Sequence, residues 1–421
     1  MMGKRHWFDA ARFGLFIHWG AYSARGLEPS WPLVGGSRAF PFGQDLCVAD
    51  YYRDFGSWAP PRDAPREWLR QAKRCGMQYA VLTTKHHDGF CLFPGAHAPF
   101  GVSASAPGRD LVAEFVDATR AEGLRVGLYF SLSDWHHPDY PAWTDAMRPY
   151  PMVAYPRPAP ERWERYLADL RGQLEHLLTA DGQIDLLWFD GGWERRAGEW
   201  RSDELLALVR RLQPGILVND RLAGAGDYVS PEQYIPAHPP AGRWETCMTM
   251  NESWGPVAAD QDYKSVRYLL TLLTEVASAG GNLLLNLSPD GDGRILDWQR
   301  ERLESIAGWM ERHAGAVIGS ERGLEAWQFH GPTTREGRRT YLFCPMRPQE
   351  FVVLRGVYGR RIEAVRAVGS GQELSFELRL SALDRLFGTD PTCDVIIAVP
   401  DAACDELMTV IEVKEREGAS R

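Results

Sequence analysis

The sequence predicts an α/β fold, a (β/α)8-like TIM barrel followed by a C-terminal antiparallel β-sandwich. Short apolar runs alternate with longer amphipathic stretches from the N-terminus to about residue 315, as repeated βα units require. Past about residue 320 the texture changes to closely spaced short runs split by turn residues, the pattern of antiparallel sheets. A chain of 421 residues also exceeds the size at which one core usually divides, and it leaves room for a barrel of about 250 residues or more.

Taken in order, the barrel strands are expected at Leu15 to Trp19, Tyr79 to Thr84, Val126 to Ser131, Ile184 to Phe189, Ile216 to Asn219, Trp244 to Met248 and Asn282 to Leu287. Amphipathic stretches near 65–75, 110–121, 161–179, 202–213, 262–279 and 297–313 read as the intervening helices, with Asp110 and Ser202 placed to cap the second and fourth. Seven strands are countable, so the eighth is expected to be missing, short or irregular. The sandwich strands are expected at 340–343, 350–354, 362–368, 374–380 and 394–399. The division is placed between a catalytic barrel at 1–322 and a sandwich domain at 323–421.

Composition narrows the function. A net charge of −9, without a Lys/Arg stripe interleaved with aromatics, disfavours nucleic acid and anionic membranes as partners. No apolar run approaches the roughly 20 residues of a membrane span, and the first residues carry no apolar leader segment, so a cytoplasmic location is expected, or a secreted or periplasmic one if a leader was removed. The seven Cys are scattered without Cys-x-x-Cys spacing, which indicates neither a disulfide framework nor a zinc site. Sixteen Trp is a high count for this length. Most belong to the core, but exposed indole suits the flat apolar face of a sugar ring.

Every predicted barrel strand ends in a polar cluster, and in a β/α barrel those ends converge on one face. The clusters are His18-Trp19-Gly20, Lys85-His86-His87-Asp88-Gly89-Phe90, Tyr129-Phe130-Ser131 with Asp134-Trp135, Asp190-Gly191-Gly192, Asn219-Asp220-Arg221 and Trp244-Glu245-Thr246-Cys247. Asp190 follows a buried apolar run and hands over to two glycines, which leave room for close approach to the backbone. A lone Asp after a strand is more often a turn former; Asp190 departs from that pattern through the company it keeps. His86 and His87 are neighbours whose side chains on a strand would point to opposite faces, which argues against a shared metal ion. Asp88 and Asp185 read as structural, and Cys91 and Cys247 as small buried hydrophobes. Glycoside hydrolysis needs two carboxyl groups. Asp190 supplies one, and either Glu232, in the Pro-bounded segment Ser230-Pro231-Glu232-Gln233, or Glu245 can supply the other; spacing does not choose.

The motifs Phe13-Gly14-Leu15-Phe16-Ile17-His18-Trp19-Gly20, Thr83-Thr84-Lys85-His86-His87-Asp88-Gly89-Phe90, Trp188-Phe189-Asp190-Gly191, Asn219-Asp220-Arg221, Trp244-Glu245-Thr246-Cys247, Ser253-Trp254-Gly255 and Gly280-Gly281-Asn282-Leu283-Leu284-Leu285-Asn286 resemble, in order, the α-L-fucosidases of glycoside hydrolase family 29. The resemblance implies an exo-acting, retaining hydrolase that releases terminal fucose from an oligosaccharide or glycoconjugate, with Asp190 as nucleophile. It implies sugar binding by His18, His86, His87, Tyr129, Trp188 and Arg221, and it favours Glu232 over Glu245 as acid/base. No metal or organic cofactor is called for, and homo-oligomerisation is left open. Arg221 or a protonated His is expected to stabilise the ionised nucleophile, with the acid/base in a drier place. A related exo-glycosidase acting on another sugar such as a galactoside, or a non-catalytic carbohydrate-binding relative, are the alternatives. The Trp- and Pro-bearing loop at 27–45 matches no family pattern.

Overall fold

The computed structural model describes residues 5–35, 44–148, 155–224, 226–388 and 391–417. Part of the 27–45 loop and part of the Pro-rich loop after His136 therefore lie outside the described residues, as do the first four residues of the chain.

Seven parallel strands form the barrel sheet: β1 (Phe13–Ile17), β2 (Tyr79–Lys85), β3 (Arg125–Ser131), β4 (Leu186–Asp190), β5 (Leu217–Val218), β6 (Glu245–Met248) and β7 (Asn282–Leu287), in the order β5-β4-β3-β2-β1-β7-β6. All seven predicted strands are present. The gap between β5 and β6 is filled by an irregular segment. Single bridges join Asn219 to Tyr228, Val229 to Trp244 and Glu232 to Cys247. Pro231 has no N–H to offer a ladder, which is one reason this eighth stave remains a set of isolated bridges. It matters for function because it carries Glu232.

The helices α1 (Ala64–Arg74), α2 (Leu111–Ala121), α3 (Pro160–Thr179), α4 (Ser202–Leu212), α5 (Val266–Ser278) and α6 (Asp297–Val317) lie close to the predicted ranges. Asp110 caps α2 as expected, accepting from the amides of Val112 and Ala113. Ser202 does not cap α4. Arg201 holds the cap position at φ 53°, Ser202 is the first helical residue, and its buried hydroxyl finds no acceptor.

Strand parity decides what faces the site. In β4, Leu187 and Phe189 belong to the cluster packed against the helices, whereas Leu186 and Trp188 share a second cluster with Phe16, Val81, Tyr129, Tyr228 and Cys247. That second cluster fills the barrel. Asp190 has the parity of Leu186 and Trp188, so the strand aims its carboxylate inward at the C-terminal rim.

The C-terminal part holds two antiparallel sheets. One contains β8 (Glu321–Arg322), β9 (Thr333–Glu336), β10 (Arg339–Cys344), β12 (Ile362–Ala367) and β15 (Thr409–Glu415); the other contains β11 (Phe351–Val357), β13 (Phe376–Arg379) and β14 (Cys393–Ala398). Leu342, Val365, Ile411 and Val413 of the first meet Val352, Leu354, Val395 and Ile397 of the second in one core, as in a β-sandwich. The other face of the first sheet, with Tyr341, Phe343 and Val410, joins the cluster around the barrel helices, and Trp309 Nε1 of α6 donates to the Met408 carbonyl at 2.9 Å.

Candidate active site

The strand ends line a partly open cavity walled by His18, His86, His87, Tyr129, Trp188, Asp190, Arg221 and Glu232 together with Phe16, Trp31, Trp193, Cys247 and Trp254. All of the predicted sugar-binding residues converge there. Its mix of aromatic faces and a few polar groups is that of a small-ligand site.

Asp190 is held from two sides. Tyr129, paired in register with Trp188 one layer below, donates its hydroxyl to Asp190 Oδ2 at 2.9 Å, and Arg221 Nη1 lies 3.1 Å from Oδ1. The same Nη1 lies 2.7 Å from Glu232 Oε2. Because both oxygens touch one nitrogen they lie within about 6 Å of each other, short of the roughly 6.5–9.5 Å gap that an inverting glycosidase leaves for water. Arg221 in turn rests 4.5 Å above the Trp188 ring, and it donates through Nη2 to the Ser230 carbonyl at 3.1 Å.

The neighbours of Arg221 in its motif serve the scaffold. Asn219 exchanges two hydrogen bonds with the backbone of Phe189 (2.8 and 2.9 Å), continuing the β4–β5 pairing past its last ladder pair. Asp220 accepts from the Ser230 amide and hydroxyl (3.1 and 2.6 Å), which ties the eighth stave to the end of β5. The glycines after Asp190 serve the protein rather than a ligand. A Cβ on Gly191, at φ 73°, would meet Ser133 Oγ at 2.3 Å, and one on Gly192 would meet the Arg221 carbonyl at 2.4 Å.

His86 and His87 both line the cavity, with ring centroids 4.3 Å apart. The expected opposition of their side chains fails because both lie beyond β2, which ends at Lys85 with an irregularity in its pairing to β3. His87 Nε2 lies 3.5 Å from Asp190 Oδ2, yet no protonated histidine assists that carboxylate. Burial lowers His87 to about 4, His18 to about 3 and His86 well below the usual imidazole range, so all three are neutral at neutral pH. The cation beside Asp190 is Arg221. Burial alone would lower its guanidinium pKa, but Asp190 and Glu232 outweigh burial and raise it.

The two candidate acids occupy different depths. Glu232 bridges to Cys247, lines the cavity and exposes 37% of its side chain, so it does not occupy the drier place expected of the acid/base. Glu245 sits two residues earlier on β6 with the same inward parity, fully buried one layer below. It accepts from Trp188 Nε1 at 3.1 Å and from the Tyr79 hydroxyl. Burial pushes its carboxyl up to about 7, partly offset by those two donors. Glu245 therefore supports the underside of the indole on which Arg221 rests.

Sequence reasoning missed the contribution of residues 27–35. Glu28 is fully buried and accepts from the amides of Trp254 and Gly255 at 3.0 Å each, Ser30 reaches His86, and Trp31 lines the cavity. The Trp in an otherwise unmatched loop was the available signal. Asp88 and Asp185 bind structural partners as expected: Asp88 accepts from the Tyr51 hydroxyl and the Phe90 amide, and Asp185 from Arg125 and the Val126 amide. Cys247 is buried as expected, but it also forms part of the cavity wall.

Comparison with known proteins converges on one family. The family model described as alpha-L-fucosidase matches residues 3–315. The tissue alpha-L-fucosidase of Homo sapiens is 31% identical over 344 residues, covering 76% of this chain and 71% of that protein. Among solved structures, alpha-L-fucosidase isoenzyme 1 from Paenibacillus thiaminolyticus is 34% identical with a TM-score of 0.84, covering 98% of both chains. An alpha-L-fucosidase from Bacteroides thetaiotaomicron, solved as a trapped covalent intermediate, shares the fold at 24% identity and a TM-score of 0.80, covering 99% of this chain and 98% of that one. No helix among the described residues is long and apolar enough to cross a membrane.

Proposed function

Because the chain belongs to the α-L-fucosidase family, we propose that it hydrolyses terminal α-L-fucosyl residues of glycans by double displacement, with Asp190 as nucleophile and Glu232 as acid/base. The observation that carries this reading is the single guanidinium nitrogen shared by the two carboxylates at the rim of an aromatic, imidazole-lined cavity.

In the first step Asp190 attacks the anomeric carbon while Glu232, protonated, gives its proton to the departing glycosidic oxygen. The carbon–oxygen bond breaks and a glycosyl–enzyme ester forms. Glu232, now a carboxylate, then takes a proton from water as that water attacks the anomeric carbon and releases Asp190. Tyr129 and Arg221 orient the carboxylate of Asp190 and accommodate the change in its charge. Glu232 suits the proton-transfer role because its partly exposed position on the eighth stave lets it meet both leaving group and water. Glu245, sealed beneath Trp188, has no path to either. Fucose offers hydroxyls to the three neutral histidines and a 6-deoxy methyl to the indole and phenyl faces. The catalytic part is taken as residues 1–322, although β8 at its end pairs with β9 and so belongs to the C-terminal sheet.

The expected result of a screen over aryl α-L-fucoside, α-galactoside and β-galactoside is turnover of the fucoside, with each galactoside slower by roughly 10-fold or more. Fucose is a 6-deoxy-L-galactose, so a D-galactoside presents its ring hydroxyls in the mirror-image arrangement and adds a hydroxymethyl oxygen, and each buried polar group this leaves unpaired costs about 1–3 kcal/mol. Equal turnover of a galactoside refutes fucose as the sugar, and no turnover of any of the three refutes the enzyme reading.

A further inference from the structure

Ser30 lies in the loop after β1, inside the stretch that the family model covers. It is fully buried at φ 62° and ψ −41°, a conformation that a non-glycine residue keeps only when its surroundings enforce it. Those surroundings are specific. The Ser30 amide donates to the Tyr51 hydroxyl at 2.6 Å, and Tyr51 donates to Asp88 Oδ2 at 2.7 Å. The Asp88 amide donates to Ser30 Oγ at 2.8 Å, and Ser30 Oγ lies 2.5 Å from His86 Nδ1.

The hydrogen bonds bear on the imidazole tautomer. Ser30 Oγ accepts from the Asp88 amide, and among the described residues the acceptor in reach of its own proton is His86 Nδ1. A proton on Nδ1 would leave the buried Ser30 hydroxyl proton without an acceptor, so the geometry favours a bare Nδ1 with the ring proton on Nε2. At His18 the polarity is reversed. Asn286 Nδ2 donates to the Trp254 carbonyl at 2.9 Å, which leaves its Oδ1 facing His18 Nδ1 at 2.7 Å. An amide oxygen only accepts, so His18 carries its proton on Nδ1 and has a bare Nε2. The two rings lie 5.7 Å apart, both on the cavity wall.

We propose that Ser30 is a specificity-determining positioning residue: it locks His86 as a hydrogen-bond donor to the sugar, beside a His18 that Asn286 locks as an acceptor. Two adjacent imidazoles of opposite polarity match neighbouring sugar hydroxyls linked head to tail, one accepting from His86 and the next donating to His18. A hydroxyl pattern that cannot supply both roles leaves a buried group unpaired. The substrate half of this inference rests on the proposed fucosidase reading; the tautomer half does not.

The experiment is a long-range proton–nitrogen NMR correlation on the full chain labelled with ¹⁵N-histidine, at pH 7, for the wild type, Ser30→Ala and Ser30→Gly, paired with kinetics on an aryl α-L-fucoside. The wild type is expected to show His86 bare at Nδ1 and His18 bare at Nε2. Both variants are expected to give His86 a population bare at Nε2 with the His18 signals unchanged, and to lose roughly tenfold in kcat/KM, mainly through KM. Glycine removes the hydroxyl while relieving the backbone, so loss in both variants tracks the hydroxyl, whereas recovery in Ser30→Gly overturns the proposal in favour of backbone strain. A wild-type His86 bare at Nε2 overturns it outright, whether or not the variants fold. The expected wild-type tautomers in a chain that does not cleave the fucoside leave the lock standing and refute the functional reading.

Discussion

Asp190→Ala is expected to lower kcat on an aryl α-L-fucoside by roughly 10⁴-fold or more, a loss above about 5 kcal/mol, because no other group can form the glycosyl–enzyme bond. The fold should survive. Asp190 stands at the rim, its backbone carbonyl remains bonded to the Leu132 amide at 2.7 Å, and Arg221 keeps Glu232 as a partner. Thermal unfolding monitored by circular dichroism checks that half, with a midpoint within a few degrees of wild type. Added azide should enter the space vacated by the carboxylate and give β-L-fucosyl azide, the inverted product of a single displacement. Substantial activity in Asp190→Ala without a rescuing anion would remove Asp190 from the nucleophile role.

Glu232→Ala should behave differently with different leaving groups. Glycans and aryl fucosides with basic leaving groups need protonation and should slow by about 10²–10⁴-fold, whereas an activated aryl fucoside that leaves unaided should lose far less in its first step. Azide should accelerate turnover of the activated substrate and give α-L-fucosyl azide, since the Asp190 ester forms before azide attacks. Glu245→Ala provides the contrast. Its removal leaves the buried donors of Trp188 and Tyr79 without an acceptor, at about 1–3 kcal/mol each, so stability should fall and the activity loss should be nearly independent of leaving group. If Glu245→Ala shows the leaving-group dependence and azide rescue instead, the two glutamates exchange roles.

Much of this site was legible because a parallel barrel converts sequence order into spatial convergence. Runs such as Leu186-Leu187-Trp188-Phe189 are buried on both faces and announce themselves by composition, and the residues that end them must meet at one rim. Depth within the barrel was not legible. Glu232 and Glu245 differ by one layer, and that layer depends on an eighth stave whose bridges surround Pro231 and carry no apolar run. The role of Ser30 was hidden for a related reason, since a loop contact to His86 leaves no periodicity behind. In the C-terminal part, β15 was overlooked because residues Thr409–Val413 are buried on both sides, one side toward the barrel helices and the other toward the second sheet. The clean alternation of a half-buried strand is therefore absent there.

The stereochemistry of the first product tests double displacement most directly. A proton NMR time course of aryl α-L-fucoside hydrolysis should show α-L-fucose appearing first, with the β-anomer growing in only at the rate of mutarotation; β-L-fucose as the initial product would contradict a covalent Asp190 intermediate.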